Sequence, residues 1–510
     1  MNYLHEQRIK ENTLLGRLQE YAASDAYPFH MPGHKRNKLE EEKLGNFPEP
    51  FSIDITEIYG FDDLHHPEGI LKASMEKTAE IYGAGESRYL VNGSSCGILA
   101  AVSGCTERGG RILISRNCHK SVYHAIVLNH LKSAYVYPQV IDELGINGGI
   151  LPEDVEKQLA RYPDTQAVLV VSPTYDGVVS DIREIARVVH QRNIPLIVDE
   201  AHGAHFSFGK KGEYPASALS EGADVVIQSL HKTLPSLTQT AVIHLNQSRC
   251  LGQKKLDRIK WYLSVYQTSS PSYLFMASIE RCVLYMNGQG RERLSWLFNQ
   301  TEAFREEAKK LSLLQVPGKE WIGKKGIFDW DSSKLILHLG KTGKSGLWLG
   351  DKLRKEFHLE LEMYAPRYGL ALTSLWDRQE GFDRLLQAMQ AVDHELFLEL
   401  GNGQQLSGRE RETDLQEKFF FLQEKERQVM EIGEAVELPA EDKILEQCLG
   451  RISAEYVYLY PPGIPCLVPG EKIDQEIIRS IQEYQKAGFS VHGLNGKHGE
   501  FLPVICETSL

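Results

Sequence analysis

The chain has 510 residues, of which 42% are hydrophobic and 25% charged, and a formal net charge of −12. That composition predicts a globular protein of more than one core, and the acidic balance argues against non-specific nucleic-acid binding, because neutralising phosphates requires a basic surface, so no nucleic-acid partner is expected. The polar start Met1–Gln7 has no secretory apolar core and no stretch is apolar enough to cross a bilayer, so the expectation is a cytoplasmic protein without a membrane partner.

In chain order, residues 1–27 carry an amphipathic helical pattern (Leu14, Leu15, Leu18, Tyr21), and Pro28–His34 reads as irregular because of its two prolines and a glycine. From about 80 to 245, helical patterns such as Leu151–Arg161 and Ser180–Arg192 alternate with short apolar runs. The runs are Arg111–Ser115, Ala167–Val171, Pro195–Asp199, Ala223–Ile227 and Thr240–His244. Unbroken β-branched runs suit strands buried on both faces, so the pattern predicts a mostly parallel, doubly wound α/β sheet. Residues 286–330 read as helical and Ser333–Leu339 as a strand. Ser407–Gly433, dense in mixed charge, reads as a solvated helix-rich connector. Eight scattered cysteines, with no Cys-x-x-Cys pair, predict reduced thiols.

Three strand ends carry polar motifs: Ser172-Pro173-Thr174-Tyr175-Asp176-Gly177, Asp199-Glu200-Ala201-His202 and Ser229-Leu230-His231-Lys232. Ligands of open α/β sheets bind at such ends. An aspartate and a lysine placed this way suit pyridoxal phosphate. Lysine can form the Schiff base, and a carboxylate beside the pyridine nitrogen keeps it protonated. Ser229 and His231 can donate to the phosphate. Upstream, Asn92-Gly93-Ser94-Ser95-Cys96 precedes a helical pattern, and free N–H groups at a helix start bind phosphate. His119, in Arg116-Asn117-Cys118-His119, can stack on the ring. By spacing alone Ser229-x-His231-Lys232 is a weak signal, and Asp199 could instead cap a helix. His202 and His205 lack a third ligand nearby, so no metal is expected. Gly343-Lys344-Ser345 has His338 where a phosphate-binding loop needs glycine, and that reading fails.

Taken together these motifs resemble the Orn/Lys/Arg decarboxylases. The matching runs include Met31-Pro32-Gly33-His34-Lys35, Asp63-Leu64-His65-His66-Pro67-Glu68-Gly69, Thr268-Ser269-Ser270-Pro271 and Tyr460-Pro461-Pro462-Gly463-Ile464-Pro465. The resemblance implies the aspartate-aminotransferase-like type I fold with a seven-stranded, mostly parallel sheet and a smaller α+β C-terminal region. The expected domains are 1–45, 46–285, 286–405 and 406–510. It implies pyridoxal 5'-phosphate as cofactor, Lys232 as Schiff-base lysine, Asp199 on the ring nitrogen, His119 on the ring face, and His231 or Lys232 as proton donor. Ser94, Ser95, Cys96 (through its backbone), Thr174, His202 and Ser229 would contact the cofactor. Thr268 and Ser269 would reach the phosphate of a neighbouring subunit, in a homodimer or higher oligomer. The start close to the core region, without the N-terminal wing of the large acid-inducible members, suits a shorter biosynthetic branch.

The implied reaction is decarboxylation of a basic amino acid, arginine to agmatine and carbon dioxide for polyamine synthesis, with lysine or ornithine as alternatives. Glu455 and Glu471 are the candidates for reading the cationic side chain. An aminotransferase or lyase would share Lys232 and Asp199 and would show an arginine clamp, for which Arg367 is the candidate. A binding regulator without turnover is the remaining alternative.

Overall fold

The structure is a computed structural model that describes residues 13–37, 48–401, 427–460 and 463–509. Its centre is a seven-stranded sheet. In chain order the strands are β1 (Glu86–Leu90), β2 (Arg111–Ser115), β3 (Lys132–Val136), β4 (Thr165–Val171), β5 (Leu196–Asp199), β6 (Val225–Gln228) and β7 (Ala241–Leu245). They lie in the order β1-β7-β6-β5-β4-β2-β3, and β7 alone runs antiparallel to its neighbours.

The unbroken apolar runs have a simple cause. Successive side chains of a strand point to opposite faces. Leu113, Val168, Val170, Val198 and Val226 enter one core, while Ile112, Ile114, Leu169, Ile197 and Ile227 enter the other. Helices cover both faces, so neither set can be polar. The predicted doubly wound α/β sheet is therefore observed. Sequence patterning missed β1 and β3. The first reads Glu-Ser-Arg-Tyr-Leu and the second opens on an exposed lysine. Both are sheet edges with mixed polarity, and their partners, not their composition, make them strands.

Two further expectations change. Tyr27–Phe29 is a short strand that pairs in parallel with Leu359–Leu361, so Pro28 sits where it loses no ladder bond that the fold needs. Of 286–330, only Gly290–Ala308 forms a long helix; the rest is turns around Lys319–Trp321 and the strand Asp329–Trp330. The N-terminal helix is present at Leu14–Ala23, yet Leu14, Leu15 and Leu18 are exposed on this chain.

The second half builds two smaller units. Strands Lys334–His338, Tyr368–Leu372 and Met363–Tyr364 form an antiparallel sheet, backed by helices Gly346–Phe357 and Gln379–Gly401. Ser345, from the rejected phosphate-loop motif, caps the first of these helices. Farther on, Val457–Leu459, Pro465–Leu467 and Val491–His492 pack with helix Gln475–Lys486. The charged connector lies largely outside the described residues, as do the domain limits drawn near 45 and 405.

Candidate active site

A cavity of about 620 Å³ opens at the carboxyl ends of β4, β5 and β6. The central sheet supplies Asp199, His202, His231 and Lys232; the second half supplies Glu362 to Tyr368; the C-terminal unit closes it with Leu459, Tyr460, Ile464 and Cys466.

Lys232 lies in the helical turn Leu230–Thr233, which begins at Ser229 directly after β6. The Met31–Lys35 segment docks against this turn. Gly33 N donates to the His231 carbonyl at 2.8 Å, and a Cβ at Gly33 would lie 2.7 Å from the Leu234 carbonyl oxygen. Only glycine allows that approach, and it brings Met31 into the cavity wall. Lys232 Nζ lies 2.9 Å from His202 Nε2. Burial pulls the lysine pKa down, against the attraction of Asp199 and Glu362.

Asp199 ends β5. Its Oδ1 accepts from Ala201 N at 3.1 Å, and burial raises its carboxyl pKa, opposed mainly by Lys232. Glu200 points to the other side, where Ser217, Ala218 N and Gln228 donate to it. The alternation of the strand thus sends one acid to the cavity and one to the core. His119 caps helix Lys120–Leu128, and its Nδ1 accepts from Ser121 N at 3.2 Å, which fixes the ring at the cavity wall. Burial pulls its pKa down to about 3. His231 Nδ1 lies 2.9 Å from the Thr240 carbonyl, and burial pulls its pKa down to about 4.

Gly93 opens helix Gly93–Cys105 with φ +74°, a conformation that side chains rarely adopt. Gly93, Ser94 and Ser95 line the cavity, and Ser229 Oγ donates to Ser94 Oγ at 2.9 Å. Cys96 is buried one turn in, with its thiol on the Gly93 carbonyl. Thr174 lines the cavity and accepts from Val178 N. This donor set fits pyridoxal phosphate: N–H groups at a helix start and hydroxyls for the phosphate, a buried acid for the ring nitrogen, and a lysine on the same cavity wall.

Four sequence candidates lie elsewhere. Thr268 and Ser269 are exposed, outside this chain's own cavity; Thr268 N donates to Asn92 and its carbonyl meets His65. Glu471 is buried, 3% exposed, and its carboxylate holds Arg116 Nη2 at 3.2 Å while accepting from Val468 N. Glu455 accepts from Tyr456 N and does not line the cavity. Besides Asp199, the acids on the wall are Glu362 and Asp176. Tyr175 Oη and Met31 N donate to Glu362. Tyr368 Oη donates to Asp176 at 2.5 Å, and burial raises the Asp176 pKa to about 6. Among the described residues neither forms an ion pair. Asp176 was visible within a motif, but nothing in the sequence distinguished Glu362 from the nearby Glu360. Arg367 also lines the cavity, and its guanidinium donates to the Asp142 carbonyl, tying it to the hairpin Val140–Asn147.

Comparison with known proteins gives a consistent picture. The model of the Orn/Lys/Arg decarboxylase major domain matches residues 13–338, and that of the C-terminal domain of the same family matches 415–497. An arginine decarboxylase of Bacillus subtilis is 33% identical over 499 residues, covering 98% of both chains. One from Halalkalibacterium halodurans is 31% identical over 502 residues, covering 98% of this chain and 99% of its own. Among solved structures, the lysine decarboxylase LdcF of Francisella novicida superposes with a TM-score of 0.74 at 20% identity, covering 99% of this chain and 83% of that one. The chain belongs to the Orn/Lys/Arg decarboxylase family.

Proposed function

We propose that the protein decarboxylates arginine to agmatine and carbon dioxide with pyridoxal phosphate, lysine and ornithine being the alternative substrates. The observation that carries the reading is the meeting of Lys232 and Asp199, from the ends of neighbouring parallel strands, in one cavity with two carboxylates that form no ion pair among the described residues. Full-length relatives named arginine decarboxylase support arginine over the alternatives.

When bound, the cofactor supplies the electron sink for the bond that breaks. Lys232 would hold it through its side-chain nitrogen. Asp199 stabilises positive charge at the ring nitrogen. His119, fixed by its cap at the cavity wall, would lie against the cofactor ring. Gly93, Ser94, Ser95, Ser229 and His231 hold the phosphate. Glu362 and Asp176 receive the cationic end of the substrate, which lowers the Asp176 pKa and completes its hydrogen bonding. The C-terminal residues Leu459, Tyr460 and Ile464 exclude water. Lys232 or His231 returns a proton to the substrate carbon. Subunit pairing through Thr268 and Ser269, and residence in the cytoplasm, belong to the same proposal.

The test is release of carbon dioxide and amine by the cofactor-loaded protein, offered arginine, lysine and ornithine in parallel. Release from arginine at the highest kcat/KM supports the reading. Bound cofactor with no release from any of the three refutes decarboxylation and leaves transamination, lyase chemistry or regulation.

A further inference from the structure

Two lysines reach His202 from different sides, and their surroundings differ. Lys334 is fully buried. Its Nζ lies 2.7 Å from Asp331 Oδ2, 3.1 Å from Ser333 Oγ and 3.5 Å from the His202 carbonyl. A buried ammonium needs such partners. Lys232 has none of these. Among the described residues its Nζ has one hydrogen-bond partner, His202 Nε2 at 2.9 Å, and no carboxylate at ion-pair distance. Lys232 is part-exposed, but it lines the cavity, and ligands that fill the cavity displace the water there.

His202 is 6% exposed, and its Nδ1 is buried with no partner. Buried N–H groups without an acceptor are rarer than acceptors without a donor, so the ring proton belongs on Nε2. An Nε2–H aimed at Lys232 must donate, and Nζ can accept only as a neutral amine. The ring is held for this. Tyr175 packs on it with centroids 4.4 Å apart, and Tyr175 is itself anchored on Glu362. The charged and titratable groups facing the pair are Asp199 and Glu362, which favour an ammonium, and Lys334, which opposes it. Asp331 is engaged by Lys334 and His205, and His231 and His119 are kept neutral by burial.

We propose that His202 is an N–H donor that keeps the displaced Lys232 side chain as a neutral amine, ready to act as nucleophile and proton acceptor. The proposal rests on Lys232 being the lysine that holds the cofactor.

Proton counting tests it. An incoming ammonium brings three N–H protons, and the linked Lys232 nitrogen holds one. Afterwards the bound amine nitrogen holds one and a neutral Lys232 holds two, so one proton leaves to solvent. An ammonium at Lys232 would hold three, and none would leave. The cofactor-loaded protein is titrated with the amines that correspond to arginine, lysine and ornithine, which cannot lose carbon dioxide. Binding is followed by the cofactor's absorbance, and proton release by calorimetry in buffers of different ionisation enthalpy. The pH window is one in which the free holoenzyme's spectrum is constant.

The expected result is one proton released per amine bound, with Kd falling about tenfold per pH unit. His202→Phe, which keeps an aromatic body without the donor, should lose the release and the slope. His202→Gln, whose amide N–H can donate, should restore both. Spectral binding without proton release by the unaltered protein overturns the proposal while leaving Lys232 in its role. Equal release by His202→Phe, or failure of His202→Gln to differ from it, removes His202 from the account. No spectral response to any of the three amines overturns the Lys232 reading and the proposal with it.

Discussion

Glu471→Gln separates two accounts of this acid. As a substrate reader it would touch the cavity; the structure buries it instead against Arg116. The side chains are 3% and 4% exposed and meet at 3.2 Å. Arg116 also donates to Tyr123 Oη at 2.8 Å and to the Pro465 carbonyl at 2.7 Å, so the pair links the end of β2 to the C-terminal unit. Glutamine keeps the volume and one carbonyl acceptor but leaves the guanidinium charge buried without a counter-ion. Breaking a buried pair in this way costs about 3–5 kcal/mol, largely through the charge left behind. Replacing Arg116 by methionine in the same background should recover part of that loss, because apolar replacement of both partners is far less costly. The assay is urea unfolding followed by tryptophan fluorescence, with KM for arginine measured alongside. A stability within about 0.5 kcal/mol of the parent, together with a large rise in KM, would falsify the structural role and return Glu471 to substrate recognition.

Asp199→Asn should retain the cofactor but slow turnover by roughly 100-fold or more, the scale on which removing one preorganised electrostatic group acts; unchanged kcat would remove its electronic role. Asp176 has its folded pKa raised to about 6 by burial, so the fold favours its protonated form and loses stability as pH rises from about 4 to about 6. Asp176→Asn should abolish that loss, on the order of 2–3 kcal/mol between pH 4 and 8 for this group, and an unaltered pH–stability curve would refute it. Gly104→Ala should destabilise by about 1–3 kcal/mol, because the new Cβ would lie 2.3 Å from Ile259 Cγ1 and 2.8 Å from the Ile259 backbone. A thermal midpoint equal to the parent's would show that helices Gly93–Cys105 and Gln253–Tyr266 separate freely.

The sequence by itself determined the five central strands, because burial on both faces leaves no room for polar residues in Leu113–Ile114, Val168–Val170 or Ile197–Val198. It also marked Asp199, His202 and Lys232 as candidates, since residues at and just beyond the carboxyl ends of such strands face the ligand crevice. The tertiary structure decided the rest. The edge strands Glu86–Leu90 and Lys132–Val136 carry mixed polarity and exist through their neighbours. Glu362 reaches the cavity from 130 positions beyond Lys232 in the chain, and no local pattern encodes a meeting across that separation. Glu471, a sequence candidate for reading the substrate's cationic side chain, spends its charge on Arg116 instead, because a buried guanidinium needs a counter-ion and the fold places this one beside it.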